Sequence, residues 1–263
     1  MSRVTETIRA AESQGRGVLV GYLPAGFPSV EESIEALVAL AEGGADIIEL
    51  GIPYSDPVMD GLVIQQATNR ALENGFRVKN TFDIIRGVTA RVDVPILVMT
   101  YWNPVVQYGI ERFASDLAAA GGAGLITPDL IPDEAAEWVV ASDKHDLDRV
   151  FLAAPSSTDD RLRATVDISR GFVYAVSTMG ITGAREDLDA AARTLVGRLR
   201  AVGAKTVCVG VGISTADQVH DVCGYADGAI VGSLLVKTLD TDGVDGVRRV
   251  TAALATGTIK SKP

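Results

Sequence analysis

Short, uninterrupted apolar runs alternate with longer segments of helical periodicity along the whole chain. The runs are Val18–Leu23, Asp46–Leu50, Pro95–Tyr101, Gly124–Thr127, Arg149–Ala154, Phe172–Ser177, Thr206–Val211 and Gly228–Val231. A strand with one wet face alternates apolar and polar residues. These runs do not, as befits strands of a parallel sheet covered on both faces. Between them, segments such as 29–45, 109–123 and 133–145 carry apolar residues at helical spacing, and several end in glycine, a common helix stop. Eight strand–helix units in about 250 residues predict an α/β fold of the closed (β/α)8 TIM-barrel type, with an open doubly wound sheet as the alternative. No linker or change of composition divides the chain, so residues 1–263 read as a single domain. Val4–Ser13, ahead of the first run, predicts an extra N-terminal helix closing the barrel bottom.

Composition changes this picture mainly by exclusion. With 34 acidic and 24 basic side chains the net charge is −10, the wrong sign for a nucleic-acid partner. The longest run without a charge, Val94 to Ile110, has 17 residues broken by Pro95, Pro104 and Gly109, which argues against a membrane span. The polar N-terminal segment lacks a signal-peptide core, and two cysteines, Cys208 and Cys223, fit a reducing cytoplasm better than a disulfide framework. No cluster of His, Cys and acidic residues has metal-ligand spacing, and His145 and His220 fall in helical segments as solvated side chains.

In barrels of this kind the chemistry lies on the loops that follow the strands. Glu49 stands inside an otherwise apolar strand, near its active end, with no Lys or Arg at the neighbouring strand ends. An unpaired buried carboxylate is costly, so it is either satisfied by backbone and tyrosine hydroxyls or kept as a general acid/base with a raised pKa. The next loop, Ile52 to Gly61, contains Pro53, Asp56, Pro57 and Asp60. Taken singly, its aspartates read as turn formers. Beside Glu49, they could equally present a second carboxylate to a substrate. Glycine-bearing loops follow the last three strands, at Met179–Gly183, Gly210–Ser214 and Gly232–Ser233. Backbone N–H groups in such loops, with a helix starting near Ser233, suit a phosphate. The residues alone therefore indicate a barrel enzyme with carboxylate acid/base chemistry on a phosphorylated small molecule.

The stretch IELGIPYSDPVMDG at 48–61 resembles the signature of the tryptophan synthase alpha subunit family. Further matches follow in order: GYLPAGFP at 21–28, MTYWNP at 99–104, GLITPDL at 124–130, GITGAR at 180–185, GVGIS at 210–214 and GSLLVK at 232–237. The resemblance implies a cofactor-independent retro-aldol cleavage of indole-3-glycerol phosphate to indole and glyceraldehyde 3-phosphate. Glu49 matches the acid/base and Asp60 the carboxylate opposite the indole N–H. Tyr22, Met99 and Tyr174 match the indole pocket, Gly183, Gly212, Gly232 and Ser233 the phosphate site, and Thr182 a loop residue that meets Asp60 on closure. The resemblance also implies a beta-subunit partner in an alpha2-beta2 complex, carrying its own pyridoxal phosphate and receiving the indole. Pro53, Asp56, Tyr101, Asn103 and Asp129 would face it. Tyr22, Thr178-Met179 and Ile131 depart from the family pattern, which commonly has Phe, a charged or polar pair, and Pro at these places. A freestanding indole-releasing lyase and a non-catalytic allosteric subunit are the alternative readings. A phosphosugar isomerase or indole-glycerol-phosphate synthase would be expected to place a lysine at a strand end, and these strand ends have none.

Overall fold

The eight apolar runs form one closed barrel of parallel strands in sequence order, the eighth pairing with the first. The computed structural model describes residues 2–176, 185–210 and 212–260, with the side chains of 185–188 excluded. The strands are β1 (Val18–Pro24), β2 (Ile47–Gly51), β3 (Ile96–Met99), β4 (Gly124–Thr127), β5 (Asp148–Ala153), β6 (Val173–Val176), β7 (Val207–Gly210) and β8 (Gly228–Val231). Among the described residues the helices are α1 (Arg3–Ser13), α2 (Val30–Glu42), α3 (Leu62–Glu73), α4 (Val78–Thr89), α5 (Trp102–Tyr108) and α6 (Ile110–Ala119). They continue with α7 (Ala136–Lys144), α8 (Asp159–Ile168), α9 (Arg185–Ala201), α10 (Ala216–Cys223) and α11 (Ser233–Ala255), the last interrupted at Gly243. The β2–β3 and β3–β4 connections each hold two helices where the sequence pattern suggests one.

Strand alternation divides the core in two. Outward residues such as Leu19, Ile48, Val98 and Leu125 pack under the helices. Inward residues, among them Val18, Val20, Ile47, Leu97, Ile126, Val150, Phe172, Cys208 and Ile230, fill the barrel. The expected N-terminal helix plugs its lower end. Val4, Ile8 and Ala11 of α1, all within 3% exposure, join that inner layer. The spacing of these three places them on one helix face. Burying the Val4 and Ile8 side chains stabilises the plug by roughly 1.5–3 kcal/mol each. Ser2 caps the helix by accepting the Thr5 N–H at 3.3 Å.

With α1 packed into the lower barrel, the strand C-termini shape the cavity at the upper end. Parallel register sets its inward side chains at common height: Tyr22 lies opposite Glu49, Gly51 opposite Met99, and Tyr174 opposite Cys208. Both cysteines are free and buried. No helix among the described residues is long and apolar enough to cross a membrane. One expectation fails here: His145 is not solvated, because its ring packs against Glu111, with Nε2 2.9 Å from Oε1. The residue caps the end of α7 and α6 lies alongside, a contact invisible to periodicity.

Candidate active site

Above the inner layer a cavity of about 450 Å³ opens among the ends of β1, β2, β3, β5, β6, β7 and β8. It brings together Tyr22, Glu49, Asp60, Met99, Tyr174, Gly212, Gly232 and Ser233, which the chain scatters over more than 200 positions. Thr182 and Gly183 lie outside the described residues, as does the rest of the 177–184 segment.

Glu49 is 1% exposed and its Oε2 has no hydrogen-bond partner among the described residues. Burial, followed by the charge of Asp60, pushes its carboxyl from 4.5 up to about 8. A site at neutral pH therefore holds Glu49 as the neutral acid, the form that can donate a proton. Asp60 is half-buried on the loop between β2 and α3, and burial raises its carboxyl too. A hydrogen bond from the Tyr101 hydroxyl opposes that rise. The two carboxyls thus differ in setting: Glu49 is deeply buried and pushed up to about 8, while Asp60 is half-buried and its rise is opposed by a donor.

Two glycines make room for the tyrosines. A Cβ at Gly51 would stand 2.3 Å from the Tyr22 hydroxyl, and one at Gly210 would stand 2.5 Å from the Tyr174 hydroxyl. Gly210 reads in the sequence as part of an anion-binding loop, but its position gives it this clearance role. Burial pushes both phenols well above their ordinary value, so the rings line the cavity as neutral hydroxyls.

The β7 and β8 ends differ in how their following helices begin. At α10, Thr215 and Gln218 form a capping box that occupies the Thr215 and Gln218 N–H groups. At α11, Gly232 is the cap residue and contributes no side-chain acceptor. The first N–H groups of α11, which have no intrahelical acceptor, thus remain open beside Gly232, Ser233 and Leu234 at the cavity wall. With the helix dipole behind them they make an anion cradle. Gly212 turns toward it in the left-handed region, at φ 67°.

The expected partner-facing residues separate into two groups. Asp56, Asn103 and Asp129 are exposed, while Pro53 and Tyr101 are buried within the chain. Tyr101 points inward, its hydroxyl on Asp60 and its ring 5.3 Å from that of Tyr54. Asp129 accepts the Trp102 N–H at 2.9 Å at the start of α5, and Asn103 donates to the Tyr54 hydroxyl at 3.3 Å. Around these loops Val58, Val106 and Ile131 stand 77%, 46% and 38% exposed. Two features, one beside the cavity and one on its rim, have no counterpart in the sequence reading. Gln65 Nε2 donates to the Asp60 carbonyl at 2.7 Å. Lys237 lies on the rim, four residues beyond Ser233, a helical spacing that could have flagged it. Among the described residues no group of three or more His, Cys, Asp or Glu could hold a metal ion.

The sequence model of one family, tryptophan synthase alpha chain, matches residues 8–260. The tryptophan synthase alpha chain of Leifsonia xyli is 65% identical over 260 residues, spanning 99% of this chain and all of that one. A solved tryptophan synthase structure from Mycobacterium tuberculosis superposes with a TM-score of 0.93 at 52% identity, covering 98% of both chains. A chain of the Pyrococcus furiosus tryptophan synthase complex superposes with a TM-score of 0.82 at 34% identity, covering 91% of this chain and 98% of that one.

Proposed function

Because the chain belongs to the tryptophan synthase alpha chain family, a carbon–carbon lyase family, we propose that its own residues carry the cleavage of indole-3-glycerol phosphate as follows. Glu49, protonated at the start, donates to indole C3, making the ring an indoleninium. The resulting carboxylate then takes the proton from the side-chain hydroxyl next to the C3–carbon bond. That bond breaks, its electron pair returns to the ring, and indole and glyceraldehyde 3-phosphate result. Glu49 ends as it began, protonated. The Asp60 carboxylate stands opposite the indole N–H and stabilises the positive charge that develops there, an interaction strengthened by partial exclusion of water. Tyr22, Met99 and Tyr174 hold the indole ring. The open N–H groups of α11, with Gly212 and Ser233, hold the phosphate.

The observation that carries this reading is the conjunction in one cavity of a buried acid, a donor-supported carboxylate and an uncapped helix start. Each part matches one need of the reaction: a proton for C3, an anion for the ring nitrogen, and N–H donors for the phosphate. The residues fit a reaction that needs no cofactor in this chain.

The family and its solved complexes imply a beta-subunit partner. We further propose an alpha2-beta2 assembly in the cytoplasm in which the beta subunit carries pyridoxal phosphate and consumes the indole. The surface offered to it comprises Asp56, Asn103 and Asp129, with the exposed apolar Val58, Val106 and Ile131 between them. Pro53 and Tyr101, buried, act through the loops they stiffen. The test is indole release from indole-3-glycerol phosphate by the purified chain, alone and with a beta subunit. No indole under either condition would refute the lyase assignment.

A further inference from the structure

The cavity rim holds one charged group that the reaction above leaves without a task. Lys237 lies one helical turn beyond Ser233 in α11 and lines the same cavity as Gly212, Gly232 and Ser233. Helical side chains lean toward the N-terminus of their helix, so a residue four beyond Ser233 covers the surface next to the open N–H groups. Lys237 also borders a neighbouring groove of about 340 Å³ between α3 and α11. There the other cation, Arg70, is already engaged. Its guanidinium bonds Asp240 Oδ1 at 3.1 Å and lies 5.5 Å over the Phe27 ring. Lys237 is exposed and makes no hydrogen bond or ion pair within the described residues. It is the one cation among the described residues lining the cavity, which Glu49 and Asp60 also line.

A phosphate monoester approaching this site carries close to two negative charges into a chain of net charge −10. The cradle opposes that repulsion with neutral N–H groups and about half a unit of positive charge from the helix end. We propose that Lys237 is a phosphate-binding residue of this site, its mobile ammonium capturing the monoester dianion while the backbone cradle fixes its position. The inference rests on the cavity being the phosphate-ester site described above, and it adds a charge to what is otherwise backbone recognition. Because the phosphate is remote from the bond that breaks, Lys237 contributes equally to ground state and transition state. Its loss raises KM and leaves kcat alone. Because it is exposed, its contribution is screened by salt.

The experiment compares wild type with Lys237→Gln and Lys237→Arg. The readouts are steady-state cleavage of indole-3-glycerol phosphate and calorimetric binding of two probes, glycerol 3-phosphate and indole. At low ionic strength Lys237→Gln should weaken glycerol 3-phosphate and raise KM about tenfold, the scale of one partly screened charge pair. The effect should shrink at high salt, with kcat and indole affinity within about twofold of wild type and Lys237→Arg close to wild type. Glycerol 3-phosphate affinity that is unchanged in Lys237→Gln at low salt would overturn the assignment. So would a parallel loss of indole binding, which would mark a structural role. The binding arm needs no turnover. A wild-type chain that bound glycerol 3-phosphate but cleaved nothing would overturn the lyase reading, with Lys237 still judged by its binding result.

Discussion

The Tyr101 hydroxyl donates to Asp60 Oδ1 at 3.0 Å and accepts the Met59 N–H at 3.0 Å. One buried side chain at the start of α5 therefore holds both the proposed charge-stabilising carboxylate and the backbone next to it. Tyr101→Phe keeps the ring against Tyr54 and removes the bond. A hydrogen bond to a charged group contributes about 1.5–3 kcal/mol, so kcat/KM should fall by about tenfold or more. Because that bond lowers the Asp60 carboxyl, its loss should also move the acid limb of the pH profile to higher pH. An unmoved acid limb would show that Tyr101 does not act through Asp60.

Glu49→Gln should keep the fold and the affinity for substrate while losing nearly all turnover, since an amide has no proton to give to C3. Asp60→Asn should also cut the rate severely, because a neutral group does not stabilise the indoleninium. Single-turnover indole release separates these losses from binding. A decrease under about tenfold for Asp60→Asn would return that residue to the role of a turn former.

The raised Glu49 carboxyl has a signature in stability. Its folded-state value of about 8 exceeds the unfolded 4.5, so the neutral acid favours the fold fully below pH 4.5. That contribution is lost as pH rises through about 8, because the unfolded chain releases the proton first. Glu49→Gln does not titrate. Its melting temperature, relative to wild type, should climb as the pH goes from 4.5 to 8. The kcat/KM of wild type should fall on the alkaline side over the top of that range, as the acid form is depleted. A melting-temperature difference that stayed flat with pH would mean that Glu49 is not a buried neutral acid.

The glycine–tyrosine pairs can be told apart by rescue. Gly51→Ala and Gly210→Ala should each destabilise the chain by about 1–3 kcal/mol through overpacking. Tyr174→Phe removes the 2.5 Å contact at Gly210 and leaves the next at 3.0 Å, so it should partly restore Gly210→Ala. Tyr22→Phe leaves ring carbons 2.5 and 2.6 Å from the new Cβ at Gly51, so it should restore little. Thermal unfolding of the four single and two double variants decides this. Equal rescue at both sites would contradict the geometry.

The partner surface predicts a separation of association from chemistry. Titrating a beta subunit whose own reaction is blocked should raise indole release by about tenfold or more, the usual scale of coupling between sites. Val106→Asp and Ile131→Asp should leave the isolated chain's turnover intact and shift that titration to higher beta concentrations. Turnover independent of beta, with the complex confirmed by ultracentrifugation, would mark a self-sufficient lyase.

Much of the fold lies in local pattern. Gly124–Thr127 and Gly228–Val231 have the same bounds in sequence and structure, and α1 begins one residue before its expected start. A strand buried on both faces and an amphipathic helix are each forced by their own composition, and parallel βα order leaves few ways to close them. Glu49 was legible for the same reason: a charge in an apolar strand violates the local rule. What required the tertiary structure is whatever depends on distance through space. Pro95–Tyr101 shortens to Ile96–Met99 because Tyr101 leaves the strand to reach Asp60, 41 residues away in sequence. Pro53, expected to face a partner, is buried within the chain; His145 finds Glu111; and Gly210 makes room for the Tyr174 hydroxyl. Even the pKa of Glu49 needed the fold, because neither its depth nor the nearness of Asp60 is a property of strand β2 alone. Periodicity specifies which face of an element is buried. Which side chains meet across the barrel mouth is set by register and loop path, and these exist only once the barrel has closed.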